Sequence, residues 1–307
     1  MEAYPGGWLW TNGIVQERAR MLLPGDAMPW RVRVLENRYP AVMPFPEAPP
    51  PGAAAAERPD LQPGSGRHEL ILLSHLHRRS LPDMSLAEAA LVVEAIQGRW
   101  REHRGQPGTG AVHAFLNHGA AAGASQAHPH AQVIASEQVP ERLRRMAERA
   151  GGWPGAHQVS LHHHLLKDPP DSGEGSRQVF STGEWRAALP FAPVWPWEAW
   201  VLPESPESCF ADLEASQCAA LAGAVQRLLR LLARALGGEF PFNLIFVLPP
   251  VGMPDQAGVF PWHVRITPRL HIPGGYDLNS GIQINPVGPE EAAARLRDLS
   301  AESGGGA

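Results

Sequence analysis

Alternation of apolar and polar positions defines the first elements of the chain. WRVRVL, from Trp30 to Leu35, alternates as a half-buried strand does, and HELILLS, from His68 to Ser74, reads as a second strand. Ser85 with Glu88 forms a capping box that opens a helix through about Glu102, with Leu86, Val93, Ile96 and Trp100 on one face. Ala111 to Leu116 is the next strand, Asn117 to Ala127 a loop of small residues, and His128 to Ala135 another strand before a short basic helix from Pro140 to about Ala150. Pro44 to Gly66, rich in Pro, Ala and Gly, reads as a long surface loop, and Gly151 to Ser176 as irregular chain.

The second half repeats this order. Strands are expected at Trp185 to Leu189 and Glu198 to Leu202, then a long helix from about Asp212 to Leu236 ended by Gly237-Gly238. Strands at Phe242 to Leu248 and Trp262 to Thr267 follow, and Pro289 starts a closing helix through Leu299. Each half carries a histidine on the strand that ends its unit, His130 in the first and His263 in the second. The chain therefore reads as α+β, with one unit present twice, over 1–178 and 179–307.

Composition narrows the partners. The 307 residues are 44% hydrophobic and 19% charged, a globular balance with length for two domains or one large one. Gly 31 and Pro 32 put long irregular connections between the ordered elements. A net charge of -5 supplies no general field for a nucleic-acid backbone or an anionic membrane, so neither is expected as a partner. Cys209 and Cys218 build neither a disulfide framework nor a cysteine zinc site, which fits a reducing compartment. With no long apolar run and no basic, apolar N-terminal leader, the expectation is a soluble, cytoplasmic protein.

The chemistry concentrates in Asn117 to Gln132, NHGAAAGASQAHPHAQ. Gly119 and Gly123 among alanines let backbone N–H groups approach a phosphate closely, and Ser125 adds a hydroxyl donor. A tight turn is the competing reading of this loop. Pro129 disfavours helix at His128, so the segment is expected to be extended, with His128, His130 and Gln132 on one face. A neutral imidazole at pH 7 has a free lone pair and can attack phosphorus to give a phosphoramidate that a second acceptor displaces.

This segment, NHGAAAGASQAHPHAQVIA, resembles the active-site segment of the galactose-1-phosphate uridylyltransferase family, within the histidine-triad superfamily. RVLENRYPAV resembles that family's nucleotide-base segment, GRHELILLSHLHRRSLPDMS the strand and loop before its first helix, and PFAPVWPWEAWVLP its second-half strand pair. WHVRITPRL and GGYDLNSGIQINPVGPEEAAARLRDL resemble its C-terminal end.

The resemblance implies two tandem histidine-triad-like units, each an antiparallel sheet with a long helix. It implies a ping-pong exchange of a nucleoside monophosphate between an NDP-sugar and a sugar-1-phosphate, of the UDP-glucose and galactose-1-phosphate type. His130 is then the nucleophile and Gln132 the holder of the nucleotidyl phosphate. Asn117, Gly119 and Ser125 match phosphate-contacting positions. Asn37 and Tyr39 match base-contacting ones, with a strand-end turn and packed aromatic as the alternative. Tyr276, Asp277 and Gln283 resemble the hexose end of the site, which in the family is completed across a homodimer. Relatives that hydrolyse place a third histidine where Gln132 stands, so Gln132 argues for transfer or phosphorolysis.

The sequence departs from the family at its metals. His77 and His128 match two zinc-ligating histidines, but Arg20 and Leu23 stand where the two thiolates belong and cannot ligate zinc. No cofactor is therefore expected, with His77 and His128 hydrogen-bonded to each other or to backbone. His162, His163 and His164 lie in a Pro/Gly-rich stretch and read as a solvated loop rather than a metal site. Arg265 stands where some relatives have a second metal-ligating histidine. Arg265 or Arg269 could meet a sugar phosphate, with a surface charge as the alternative. Two competing functions remain: a phosphorylase of NDP-sugars or dinucleoside polyphosphates, and a non-catalytic nucleotide-binding paralogue.

Overall fold

A computed structural model of the chain describes residues 7–11, 14–19, 30–43, 64–77, 80–156, 161–166 and 176–304. In chain order the elements are β1 (Gly7–Thr11), β2 (Ile14–Ala19), β3 (Val32–Glu36), β4 (Gly66–Leu72), α1 (Leu86–Arg104), β5 (Ala111–His118) and β6 (His130–Ser136). Helices α2 (Glu141–Ala156) and α3 (Leu161–Leu166) lead to β7 (Gln178–Ser181), β8 (Trp185–Ala188) and β9 (Ala199–Pro203). Then come α4 (Ala215–Leu236), β10 (Phe242–Val247), β11 (His263–Pro268), α5 (Gly275–Ser280) and α6 (Pro289–Gly304).

The strands join in one 11-stranded sheet of order β2-β1-β3-β4-β6-β5-β10-β11-β9-β8-β7, with every pairing antiparallel. The two halves of the chain therefore do not form separate sheets; they meet edge to edge through β5 and β10. Outward from that central pair the order is β6, β4, β3 on one side and β11, β9, β8 on the other.

Ser85 caps α1 as its sequence foretells: its side chain accepts from the Glu88 N–H while the Glu88 carboxylate accepts from the Ser85 N–H. Helix α1 packs over β3 to β6, α4 over β8 and β9, and the two helices pack against each other. Beneath them Ala131, Val133, Ala135, Val264 and Ile266 are fully buried, together with Leu221, Leu228 and Leu232 of α4. Each buried leucine or isoleucine contributes about 1.5–3 kcal/mol.

Two glutamines lock the halves reciprocally, each being the twelfth residue of its helix. Gln97 Nε2 of α1 donates to Phe210 O and Leu213 O, both at 2.9 Å, on the turn before α4. Gln226 Nε2 of α4 donates to Leu81 O at 2.8 Å and Met84 O at 2.9 Å, on the turn before α1.

Several boundaries differ from the sequence reading. Strand β6 begins at His130 rather than His128, because Pro129 has no N–H to donate to the ladder. Helix α4 begins at Ala215 rather than about Asp212, which instead ends a 3-10 turn over Phe210–Asp212. The stretch expected to be irregular holds the end of α2 and all of α3, so His162, His163 and His164 lie on a helix. The hairpin β1–β2, strand β7 and helix α5 are additions. Among the described residues no helix is long and apolar enough to cross a membrane.

Candidate functional site

His130 opens β6 and is buried. Its Nδ1 lies 3.0 Å from His128 O, and a carbonyl can only accept, so Nδ1 carries the proton. The Nε2 lone pair is thereby left for a substrate. His263 has the same geometry at the start of β11, with Nδ1 2.9 Å from Pro261 O, but the Trp200 ring stacks on it at 4.1 Å between centroids.

Two residues along β6, Gln132 is held by a neighbour on β4. His68 Nε2 lies 2.8 Å from Gln132 Oε1. The Ala41 N–H donates to His68 Nδ1 at 3.0 Å, which makes Nδ1 the acceptor and Nε2–H the donor to Gln132. Burial pushes the His68 imidazole below the ordinary histidine value, so the neutral form that this pattern requires is favoured. With Oε1 engaged, the Nε2 hydrogens are the donors that remain to the Gln132 carboxamide.

The same histidine reaches the turn after β3. Asn37 Nδ2 lies against the His68 ring, 3.1 Å from Nε2 and 3.3 Å from Nδ1, and Asn37 Oδ1 accepts from the Tyr39 N–H at 2.9 Å. Tyr39 itself is 79% exposed, with the Arg38 guanidinium 5.6 Å from its ring centroid, so it is not a packed aromatic. The turn expected to meet a base and the glutamine expected to meet a phosphate are thus joined through one buried imidazole. His68 was not singled out in the sequence; its signal is the phase of HELILLS, which sets it on the face opposite the helices.

The loop between β5 and β6 is a compact turn in which the N–H groups of Ala122 and Ala124 donate to Gly119 O, and that of Gly123 to Ala120 O. Gly119 and Gly123 sit at φ 82° and 83°, the left-handed region, and any Cβ on Gly119 would come 2.9 Å from Pro241 Cβ. Asn117, at the end of β5, points its Oδ1 at Asn243 Nδ2 of β10, 2.8 Å away. Ser125 is exposed on the loop. A cavity of about 910 Å³ opens beside it, lined among others by Asn117, Gly119, Ser125, Arg230, Arg234 and Phe242. His130 and Gln132 do not line it.

His128 faces the other way from the loop. Its Nε2 donates to Ser74 O at 2.7 Å, which leaves Nδ1 to accept from His77 Nδ1 at 3.1 Å. Burial lowers the His128 pKa. Two imidazoles spent on each other and on a carbonyl are a poor start for a four-ligand zinc site. Arg20 and Leu23 lie outside the described residues, and neither side chain supplies a zinc ligand. Among the described residues no group of three or more His, Cys, Asp or Glu could hold a metal ion. His77 and His128 do not by themselves make up a zinc ligand set.

The remaining candidates lie apart from His130. Arg265 is three strands from Gln132 across the sheet, beyond Phe115 and Ile245, with its Nε buried. Burial lowers its pKa, with Glu198 and Arg142 the charges that act on it, so it is not a surface charge. Arg269 lies over the Trp195 ring, 3.8 Å from its centroid. Tyr276 on α5 is exposed. Asp277 is buried, and both of its carboxylate oxygens hold backbone: Oδ2 accepts from Gly274 N and Oδ1 from Ile284 N, each at 2.9 Å. Gln283 has a buried Oε1 with no partner among the described residues.

Residues 28–140 match the family model described as galactose-1-phosphate uridyl transferase, N-terminal domain. An ADP-glucose phosphorylase from Arabidopsis thaliana is 26% identical over 281 residues, covering 88% of this chain and 75% of the relative. A galactose-1-phosphate uridylyltransferase from Thermotoga maritima is also 26% identical, covering 87% of this chain and 84% of its own. A solved uridylyltransferase structure superposes with a TM-score of 0.77 at 25% identity, covering 91% of this chain and 88% of that one. The family match spans β3 through β6, the elements that carry Asn37, His68, Asn117, His130 and Gln132. Over residues 28–140 the chain is similar to the galactose-1-phosphate uridylyltransferase family, and over most of its length to enzymes of that name.

Proposed function

We propose that the protein transfers a nucleotidyl group between an NDP-sugar and a phosphate acceptor through a covalent intermediate on His130. The observation that carries this reading is the His130 imidazole, its Nδ1 proton engaged by His128 O and its Nε2 lone pair left for attack. The Nε2–P bond forms at the α-phosphate as the bond to the departing sugar-1-phosphate breaks. The acceptor's phosphate oxygen then attacks the same phosphorus, and the P–N bond breaks. Gln132 Nε2 donates to the nucleotidyl phosphate while its Oε1 stays on His68. The Asn117 side-chain amide and the Ser125 hydroxyl, beside Gly119, supply donors for the phosphates. No step requires a metal ion.

Acceptor identity divides two readings. A sugar-1-phosphate acceptor, with UDP-glucose and galactose-1-phosphate as the type pair, is supported by the family match over residues 28–140 and by the similarity to the Thermotoga maritima enzyme. Inorganic phosphate as acceptor, an ADP-glucose phosphorylase reaction, is favoured by the similarity to the Arabidopsis thaliana enzyme over 88% of the chain. The test is incubation with UDP-glucose or ADP-glucose labelled in the α-phosphate, followed by a search for acid-labile, base-stable label on the protein. Label that a sugar-1-phosphate discharges assigns the transferase, and label that only phosphate discharges assigns the phosphorylase. Protein that takes no label from either donor is a non-catalytic nucleotide-binding paralogue.

The same proposal treats the chain as a duplicated unit, divided into 1–178 and 179–307, acting as a cytoplasmic homodimer in which Tyr276 and Gln283 serve the hexose end. The mirrored strand order, the reciprocal Gln97 and Gln226 bonds and the matched His130 and His263 geometry support the duplication.

A further inference from the structure

Asn243 belongs to the second half of the chain, yet both of its amide hydrogens are spent on the first, one on the end of β5 and one on the loop that follows it. Its Nδ2 lies 2.8 Å from Ala122 O and 2.8 Å from Asn117 Oδ1. Ala122 O is a backbone carbonyl and can only accept, so the atom facing it is the nitrogen of Asn243. The atom of Asn117 facing that same nitrogen must then be its oxygen. The direction of the Asn117 carboxamide is thereby fixed: Oδ1 toward β10, Nδ2 toward the loop, where a Cβ placed on Gly123 would come 3.9 Å from it. Asn243 and Asn117 are directly opposite in the β5–β10 ladder, so the pairing that joins the two halves sets this contact.

We infer that Asn243 is a positioning residue. It orients Asn117 to present N–H donors, rather than a carbonyl oxygen, to a bound phosphate, and it ties the Ala120–Ala122 turn down at Ala122. The inference rests on the proposed function for the identity of the anion, but its geometric content belongs to the ligand-free chain. Without Asn243 the Asn117 amide is free to turn its oxygen toward the phosphates, which repels them. A loop displaced by one ångström costs about 100-fold in rate.

Asn243→Asp keeps the shape and removes both donors, so its carboxylate would draw the Asn117 Nδ2 toward β10 and reverse the amide. Asn243→Ala removes the donors without adding charge, and Asn243→Ser keeps a single hydroxyl donor. Three measurements on the full chain decide the matter. In ligand-free protein, hydrogen exchange at the Gly123 and Ala124 amides should rise about tenfold in Asn243→Ala, while Val133 in β6 keeps its wild-type rate. Affinity for inorganic pyrophosphate should fall in the order wild type, Ser, Ala, Asp. The rate of His130 labelling should fall about 10- to 100-fold, with the KM for the NDP-sugar changing far less than kcat.

Wild-type exchange at Gly123 and Ala124 in the alanine variant, or unchanged pyrophosphate affinity in the aspartate variant, overturns the inference. A wild-type protein that takes no label from any NDP-sugar overturns the proposed function, and the exchange and pyrophosphate results then judge Asn243 by themselves.

Discussion

His68 Nε2 lies 2.8 Å from Gln132 Oε1, so a buried histidine on β4 sets the direction of the carboxamide two residues from His130. In the sheet register His68 is opposite Ile134 and Leu70 opposite Gln132, which makes His68 and Gln132 diagonal neighbours on the open face. His68→Phe keeps the ring volume but removes the donor, freeing Gln132 to turn its oxygen to the phosphate. Labelling of His130 should fall about 10- to 100-fold. His68→Gln places an amide nitrogen where Nε2 stands and should recover most of the rate. Equal labelling by the phenylalanine variant and the wild type would remove His68 from the site.

The first half of the site was legible because its signals are local. Gly119, Gly123 and Pro129 constrain backbone within a few residues, and they draw attention to the segment that holds His130 and Gln132. Ser85 and Glu88 marked the start of α1 for the same reason. His68, Asn243 and the Gln97–Gln226 exchange escaped because each acts on a residue far along the chain, and only the strand register brings the partners together. The β1–β2 hairpin was legible in principle: Asn12-Gly13 between GWLWT and IVQERA is a tight-turn signal. Asp277 reads as a hexose-end residue through the family resemblance. Its hydrogen bonds to Gly274 N and Ile284 N depend on a short helix that no periodicity announces.

His77 and His128 should behave as a hydrogen-bonded pair and not as half of a zinc site. Elemental analysis of purified protein is expected to find far less than one zinc per chain, and a chelator should leave the thermal midpoint unchanged. His77→Ala removes one partner of an exposed pair and should cost little stability, since His128 keeps its bond to Ser74 O. A stoichiometric, chelator-resistant zinc would overturn this account.

On the helix side of β4, directly after His68, Glu69 is buried against Arg99 and His103. Its oxygens accept from Arg99 Nε and Nη2, each at 2.7 Å, and from His103 Nε2 at 2.9 Å. Burial pushes the Glu69 carboxyl up, but the His103 and Arg99 hydrogen bonds outweigh it and hold the pKa below the ordinary value of 4.5. A depressed carboxylate pKa contributes stability that is complete above the unfolded value and is lost as pH falls through the folded one. Denaturant midpoints should therefore decline more steeply below pH 4.5 in wild type than in Glu69→Gln. At neutral pH that variant leaves Arg99 with Glu102 as its remaining carboxylate and should lose about 3–5 kcal/mol. Parallel pH curves for the two proteins would show that the network carries no linkage.

Gln283 and Asp277 are expected to separate by what each holds. Asp277 spends both oxygens on the N–H groups of Gly274 and Ile284, and those bonds keep its pKa below the ordinary aspartate value, so it is charged and engaged throughout the working range. Asp277→Ala should speed exchange at the Ile284 amide in ligand-free protein and weaken every acceptor alike, because the loop itself loosens. Gln283 has a buried Oε1 without a partner among the described residues, and an unpaired acceptor of that kind is what a hexose hydroxyl can satisfy. Gln283→Ala should leave Ile284 exchange unchanged and slow the second half-reaction with a sugar-1-phosphate by roughly 5- to 150-fold, equivalent to about 1–3 kcal/mol. Discharge of the His130 adduct by inorganic phosphate should be untouched by the same change. If Gln283→Ala slows both acceptors equally, Gln283 supports the loop and not the hexose, and the acceptor's hydroxyls are read elsewhere.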